Sequence, residues 1–229
     1  MPRGTRIWTV VKDRGEPAAF QWDVLTIGHL SRNRYWGEID ERAYREPLCT
    51  STLIRTAGHC VVVDPGLPPQ EMVRVLDRRA GIAPASVDIV FLTHFHGDHR
   101  VGLAAFPDAG WYMPPGEIAH WKILLEPGSP DRQVLDILRP AEPELIPGIR
   151  VVATPGHSVG HSSLLFESEG LRVVVAGDAA MTRDFFWHDD YYFNTVDPEA
   201  AVASIAAVAR AADVVVPGHD NYFLNRRTV

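Results

Sequence analysis

Seven consecutive residues, Thr93-His94-Phe95-His96-Gly97-Asp98-His99, constrain this chain more than any other stretch. Four of them can bind a metal, and they directly follow the apolar run Val87-Asp88-Ile89-Val90-Phe91-Leu92. Such a run reads as a buried strand, so His94 and His96 leave its end two residues apart with their rings free to converge. Asp98 and His99 lie one turn onward and do not easily reach the same ion. The arrangement implies two cations side by side, both served by one strand end.

Three other segments supply what such a site still needs. His157 lies in Thr154-Pro155-Gly156-His157-Ser158-Val159-Gly160-His161, Asp178 ends Val173-Val174-Val175-Ala176-Gly177-Asp178, and His219 ends Val214-Val215-Val216-Pro217-Gly218-His219. Each follows an apolar, β-rich run, repeating the delivery of a ligand to a strand end. Neutral imidazoles and carboxylates are borderline-to-hard ligands suited to zinc, with manganese and iron as alternatives. A bridging carboxylate keeps two cations close and screens their repulsion. Water held between such ions loses a proton near neutral pH, so no Ser or Cys nucleophile and no catalytic triad is expected.

The order HxHxDH, then His, Asp and His, resembles the metallo-β-lactamase superfamily. The likeness runs from Cys60-Val61-Val62-Val63-Asp64-Pro65-Gly66 to Gly218-His219. It implies an α/β (α+β) fold, a four-layer αβ/βα sandwich with the metal site in the cleft between two sheets. By resemblance, His94, His96 and His157 bind a first metal, Asp98, His99 and His219 a second, and Asp178 bridges them. Asp98 is also the candidate to orient a hydroxide and pass its proton to the leaving group, beside a pure ligand role. His161, in a Pro-Gly-His-x-x-Gly-His pattern common in the superfamily, is expected to hydrogen-bond near the site rather than ligate, and Asp64 to support the metal loop.

Departures from individual branches narrow the function. The true β-lactamase branch lacks the bridging acid. Glyoxalase-type thioesterases carry a C-terminal helical domain, whereas ten residues follow His219 here. Nuclease-like relatives add an RNA-gripping arm or an inserted domain. Acyl-homoserine lactonases come nearest in length and ligand spacing, but Met181 stands where they place a tyrosine that contacts the substrate carbonyl. Tyr191 and Tyr192 are the hydroxyls available to replace it. The expected activity is binuclear metal-dependent hydrolysis of a small ester, lactone or thioester; the alternatives are a two-metal phosphodiesterase and a non-catalytic metal-dependent sensor or binding protein.

Composition bounds the rest. With 229 residues, 46% hydrophobic, the chain can bury the core of one domain, residues 1–229. A net charge of −7, with Arg78-Arg79 and Arg226-Arg227 as the largest basic groupings, argues against nucleic acid and leaves a small-molecule substrate. No stretch approaches the roughly 20 apolar residues needed to span a bilayer, and the start lacks a signal-peptide core. A soluble cytoplasmic protein without a membrane partner is expected, with a homo-oligomer left open. A hairpin turn at Ala57-Gly58 sets Cys60 opposite Arg55 and so about 20 Å from Cys49, at about 3.4 Å per residue; two reduced thiols follow.

Local patterns place the elements. Strands are expected at Val24-Leu25-Thr26-Ile27 and Ser51-Thr52-Leu53-Ile54. A helix should follow Pro68-Pro69, with Met72, Val75, Leu76 and Ala80 inward and Gly81 as its stop. Another should open at Asp197-Pro198, with Val202, Ile205, Val208 and Ala212 marking its buried face. Between proline-rich flanks, residues 132–138 suggest a short helix in a linker inside the domain, either a plain surface excursion or a lid or dimer contact. Phe185 to Trp187 could line a pocket or pack, and His188 could touch substrate or face solvent. His29, His59 and His120 read as structural or exposed.

Overall fold

In the computed structural model, which describes residues 20–227, the first half of the chain lays down one six-stranded sheet. Strands β1 (Gln21–Thr26), β2 (Ser51–Arg55) and β3 (Cys60–Val63) form an antiparallel meander. Helix α1 (Pro69–Ala80) carries the chain over to β4 (Ile89–Phe91), parallel to β3, and the short α2 (Gly97–Arg100) leads on to β5 (Gly110–Met113). Helices α3 (Pro115–Leu124) and α4 (Pro130–Ile137) precede β6 (Arg139–Pro140), which adds to the edge beside β5.

The second half repeats the plan. Strands β7 (Glu144–Ile146), β8 (Ile149–Ala153), β9 (Ser162–Ser168) and β10 (Leu171–Gly177) pair antiparallel in succession. Helices α5 (Arg183–Trp187) and α6 (Pro198–Ala211) then cross to β11 (Val214–Pro217), parallel to β10, with β12 (Phe223–Leu224) outside it.

Strand alternation creates the layers. On β3, Val61 and Val63 face the other sheet while Val62 faces α1; on β10, Val173 and Val175 face inward while Val174 and Ala176 face α6. Three apolar interfaces result: helices on the first sheet around Met72, Leu76, Ile118 and Leu135, sheet on sheet, and the second sheet on Ile205, Val208 and Ala209. That is the αβ/βα sandwich expected, each side chain period of two supplying both faces. Among the described residues, no helix is long and apolar enough to cross a membrane.

Helix ends follow their punctuation. Gly81 takes the left-handed conformation (φ 66°) that stops α1. Asp197 caps α6, its carboxylate accepting from the Ala200 backbone at 3.0 Å. Asp197→Ala should therefore cost about 1 kcal/mol and Asp197→Asn little, as read by denaturant unfolding. The buried face of α6 differs from expectation in one position: Val202 is 36% exposed, and Ala201 and Ser204 take its place. Small residues are needed there because α6 touches the turn before His157, where a Cβ on Gly156 would come within 2.2 Å of the Ala201 nitrogen.

The proline-flanked segment is no plain excursion. Its helix begins earlier than expected because Ser129 caps it and Pro130 fills the first position, and it buries Leu135 fully in the core. Arg55 pairs with Cys60 across the hairpin, and both cysteines are free.

Candidate metal centre

All four motif segments end at one rim of the sandwich. β8, β10 and β11 run in the same direction and finish at the same edge of their sheet, with β9 between β8 and β10, and β4 finishes opposite them. Two backbone hydrogen bonds stitch the sheets there: Ser162 donates to the Thr93 carbonyl at 3.1 Å, and Thr50 to the Gly218 carbonyl at 2.6 Å. The candidate ligands thus sit in the cleft between the sheets, on loops held by rigid strands.

The seven predicted side chains meet there as two groups, His94, His96, His157 and Asp178, and Asp98, His99 and His219. In the first, His96 Nδ1 stands 3.0 Å from His94 Nε2 and 2.9 Å from His157 Nε2, and Asp178 Oδ2 lies 3.1 Å from His157 Nε2 and 3.7 Å from His94 Nε2. In the second, Asp178 Oδ1 lies 3.2 Å from His99 Nε2 and 3.4 Å from His219 Nε2, which is 3.6 Å from Asp98 Oδ2. Donors around a four-coordinate ion with ~2.0–2.2 Å bonds stand roughly 3.3–3.6 Å apart, so both groups have the right dimensions. Asp178 turns one oxygen to each. It has room because the next strand supplies Gly218, where a Cβ would fall 2.0 Å from Asp178 Oδ1.

Hydrogen bonds behind the rings choose which nitrogen is free. His99 Nδ1 donates to Asp64 Oδ2 at 2.9 Å, and His219 Nδ1 to the Leu48 carbonyl at 2.9 Å, leaving Nε2 of each toward the centre. Asp64 also accepts from the Thr93 backbone at 2.8 Å and its hydroxyl at 2.7 Å. With its proton so committed, the Thr93 hydroxyl accepts from His94 Nδ1 at 3.0 Å, freeing His94 Nε2. Partners of this kind orient a ligand and raise its basicity.

The electrostatics suit a cation. Burial pushes His94 and His96 below the ordinary histidine range and takes His157 down to about 3, so these rings offer lone pairs. For His99 and His219 burial acts the same way and is the largest single influence, but Asp178 together with Cys49 and Asp64 at His99, and with Asp98 at His219, outweighs it and holds both above the ordinary value. Asp178 is buried against its own charge, yet His219, His99 and His157 keep it well below the usual carboxylate range. Of the site's buried side-chain atoms, three have no hydrogen-bond partner: His157 Nδ1, and His99 Nε2 and Asp178 Oδ1, which face each other. Leaving such atoms unpaired is costly, and a metal between the facing pair removes the cost there. The donor set and these orphaned atoms fit divalent ions.

His161 stays off both groups. Its Nε2 accepts from the Asp178 backbone at 3.1 Å, so Nδ1 carries the proton and donates to Thr154 Oγ1 at 2.9 Å. The chain continues through Ser163 Oγ to the Ala176 carbonyl, anchoring the end of β10. Phe185 and Phe186 are fully buried in separate clusters, so they line no pocket; only Trp187 reaches the surface. His188 is exposed and stacks on Tyr35. Met181 is buried against Leu30, Phe185 and Tyr192, and the Tyr192 hydroxyl is already engaged with Ser31 at 2.9 Å.

One buried acid escaped the sequence reading. Glu117, in the first turn of α3, is fully buried beside the ligand loops. Nothing local marks it, since Glu71 at the same position of α1, and Glu199 one residue nearer the start of α6, are exposed.

Residues 44–219 match the family model of the metallo-beta-lactamase superfamily. The chain belongs to that superfamily. Among curated members, an N-acyl homoserine lactonase of Bacillus cereus is 31% identical over 166 residues, 68% of this chain and 65% of that protein. The metallo-beta-lactamase domain-containing protein 1 of Xenopus laevis is 37% identical over 143 residues, 61% of this chain and 56% of its own length. The chain thus spans less than two thirds of either superfamily relative. Among solved structures, AidC, a dizinc quorum-quenching lactonase in complex with a product, superposes with a TM-score of 0.63 at 18% identity, over 75% of this chain and 72% of AidC. At that identity the likeness is one of fold.

Proposed function

We propose that this chain is a binuclear metal-dependent hydrolase, a single catalytic domain that opens a small ester, lactone or thioester, with zinc as the resident metal and manganese or iron as alternatives. The observation that carries the reading is Asp178, whose two carboxylate oxygens each face a separate group of ligands, Oδ2 toward His157 and Oδ1 toward His99 and His219. Two divalent ions held this way supply a water acidified toward neutral pH and an electrophile for a carbonyl oxygen.

The chain's own residues do the rest. His94, His96 and His157 would hold one ion, Asp98, His99 and His219 the other, and Asp178 would be shared between them. Asp98 is the acid–base residue because its side chain is 21% exposed against 3% for Asp178. Solvent and substrate reach it, so it can take a proton from the attacking water and return it to the leaving group. A carbonyl substrate is favoured by the lactonase names of the relatives.

Protein loaded separately with zinc, manganese or iron and offered an aryl ester, a lactone, a thioester and bis-nitrophenyl phosphate should turn over the carbonyl substrates. Hydrolysis of the phosphate alone would replace the reading with a phosphodiesterase, and no turnover with both ions bound would make the chain a sensor. In oxygen-18 water, a single turnover should place label in the product acid, with no acyl-enzyme seen by mass spectrometry. A trapped acyl adduct contradicts a water nucleophile.

A further inference from the structure

Glu117 carries no assigned role, yet four donors converge on its two oxygens. Oε1 accepts from the Phe95 backbone at 3.2 Å and the Trp121 indole at 2.7 Å, while Oε2 accepts from the Ser158 hydroxyl and the Gly160 backbone, both at 2.9 Å. No part of the residue is exposed. A buried carboxylate is tolerated only when its lone pairs are satisfied, and here they are satisfied without a cationic side chain.

The identity of the donors gives the residue its meaning. Phe95 lies between His94 and His96, and Ser158 and Gly160 follow His157, so one carboxylate ties together the two loops that carry every histidine of the first group. Among the described residues, none of its donors belongs to α2, which carries Asp98 and His99, or to the loop of His219. The contact is built for closeness: a Cβ on Gly160 would fall 1.9 Å from the Glu117 nitrogen. Trp121 fixes the acid from its own helix and sets its ring 6.1 Å from that of His96.

We propose that Glu117 is the positioning residue of the first metal site, locking the His94–His96 loop to the His157 loop and so setting the affinity of that site alone. The proposal rests on the metal-centre reading above. Glu117→Gln keeps the shape but turns an amide N–H₂ toward two donors, which should loosen one loop.

Zinc binding measured by chelator competition in two backgrounds tests this. His219→Ala weakens the second site and leaves the first to be read; His94→Ala does the reverse. Adding Glu117→Gln should raise the zinc dissociation constant about 10–100-fold in the His219→Ala background, the effect typical of losing a ligand-orienting partner, and leave it essentially unchanged in the His94→Ala background. No change in the first background, or equal weakening in both, overturns the proposal. If Glu117→Gln does not fold, Ser158→Ala and Trp121→Phe each remove one donor and should show the same selectivity in smaller measure, and an unselective loss counts against the role. Wild-type chain that binds zinc at neither site overturns the metal-centre reading itself, an outcome distinct from the others because no Glu117 variant is involved.

Discussion

Asp178→Ala should empty both ligand groups and lower hydrolysis on the order of a thousandfold or more. The carboxylate is shared, with one oxygen in each group, so its loss removes a donor from both and lets their charges repel unscreened. Metal ions contribute several kcal/mol of transition-state stabilisation, and each 1.36 kcal/mol is about tenfold in rate. Elemental analysis after gel filtration, paired with lactone turnover, reads both effects. Retained double occupancy would contradict the bridging role, and retained activity with empty sites would contradict metal dependence.

Asp64→Ala should have the largest effect on stability. Its carboxylate is nearly fully buried and accepts from the Thr93 backbone, the Thr93 hydroxyl and His99 Nδ1. Removing it leaves three buried donors unmatched, a loss of roughly 3–5 kcal/mol, which corresponds to a fall of roughly 10 °C in melting temperature for a chain of this size. The backbone adds to the cost, because Asp64 has φ 49°, a region that Asp and Asn tolerate better than Ala. Asp64→Asn, which keeps that tolerance and one acceptor, should lose less. Thermal unfolding of metal-free protein separates these effects from metal binding; two variants melting like the parent would contradict the account of the Asp64 network.

The meeting of the seven candidate residues was legible because each lies at or just past the end of an apolar run. Strand ends in a sandwich of this kind meet at one rim, so a local motif reports a global position. Helices were legible from their punctuation at Gly81, Asp197 and Pro198. Other features depend on contacts distant in the chain. Glu117 meets Ser158 and Gly160 from 41 and 43 positions away, and its own surroundings in sequence match those of exposed acids. The burial of Ala201 in place of Val202 depends on how closely α6 approaches Gly156, a packing distance that apolar periodicity does not encode. Leu135 similarly looks like one residue of a linker until α4 lies on the first sheet.

The central claim is that two ions share Asp178 between the sheets. Anomalous diffraction from crystals of zinc-loaded protein tests it most directly. The account predicts two anomalous peaks per chain, one against His94, His96 and His157, the other against Asp98, His99 and His219, with Asp178 touching both. A single peak at saturating zinc, or two peaks of which either lies away from Asp178, would contradict it.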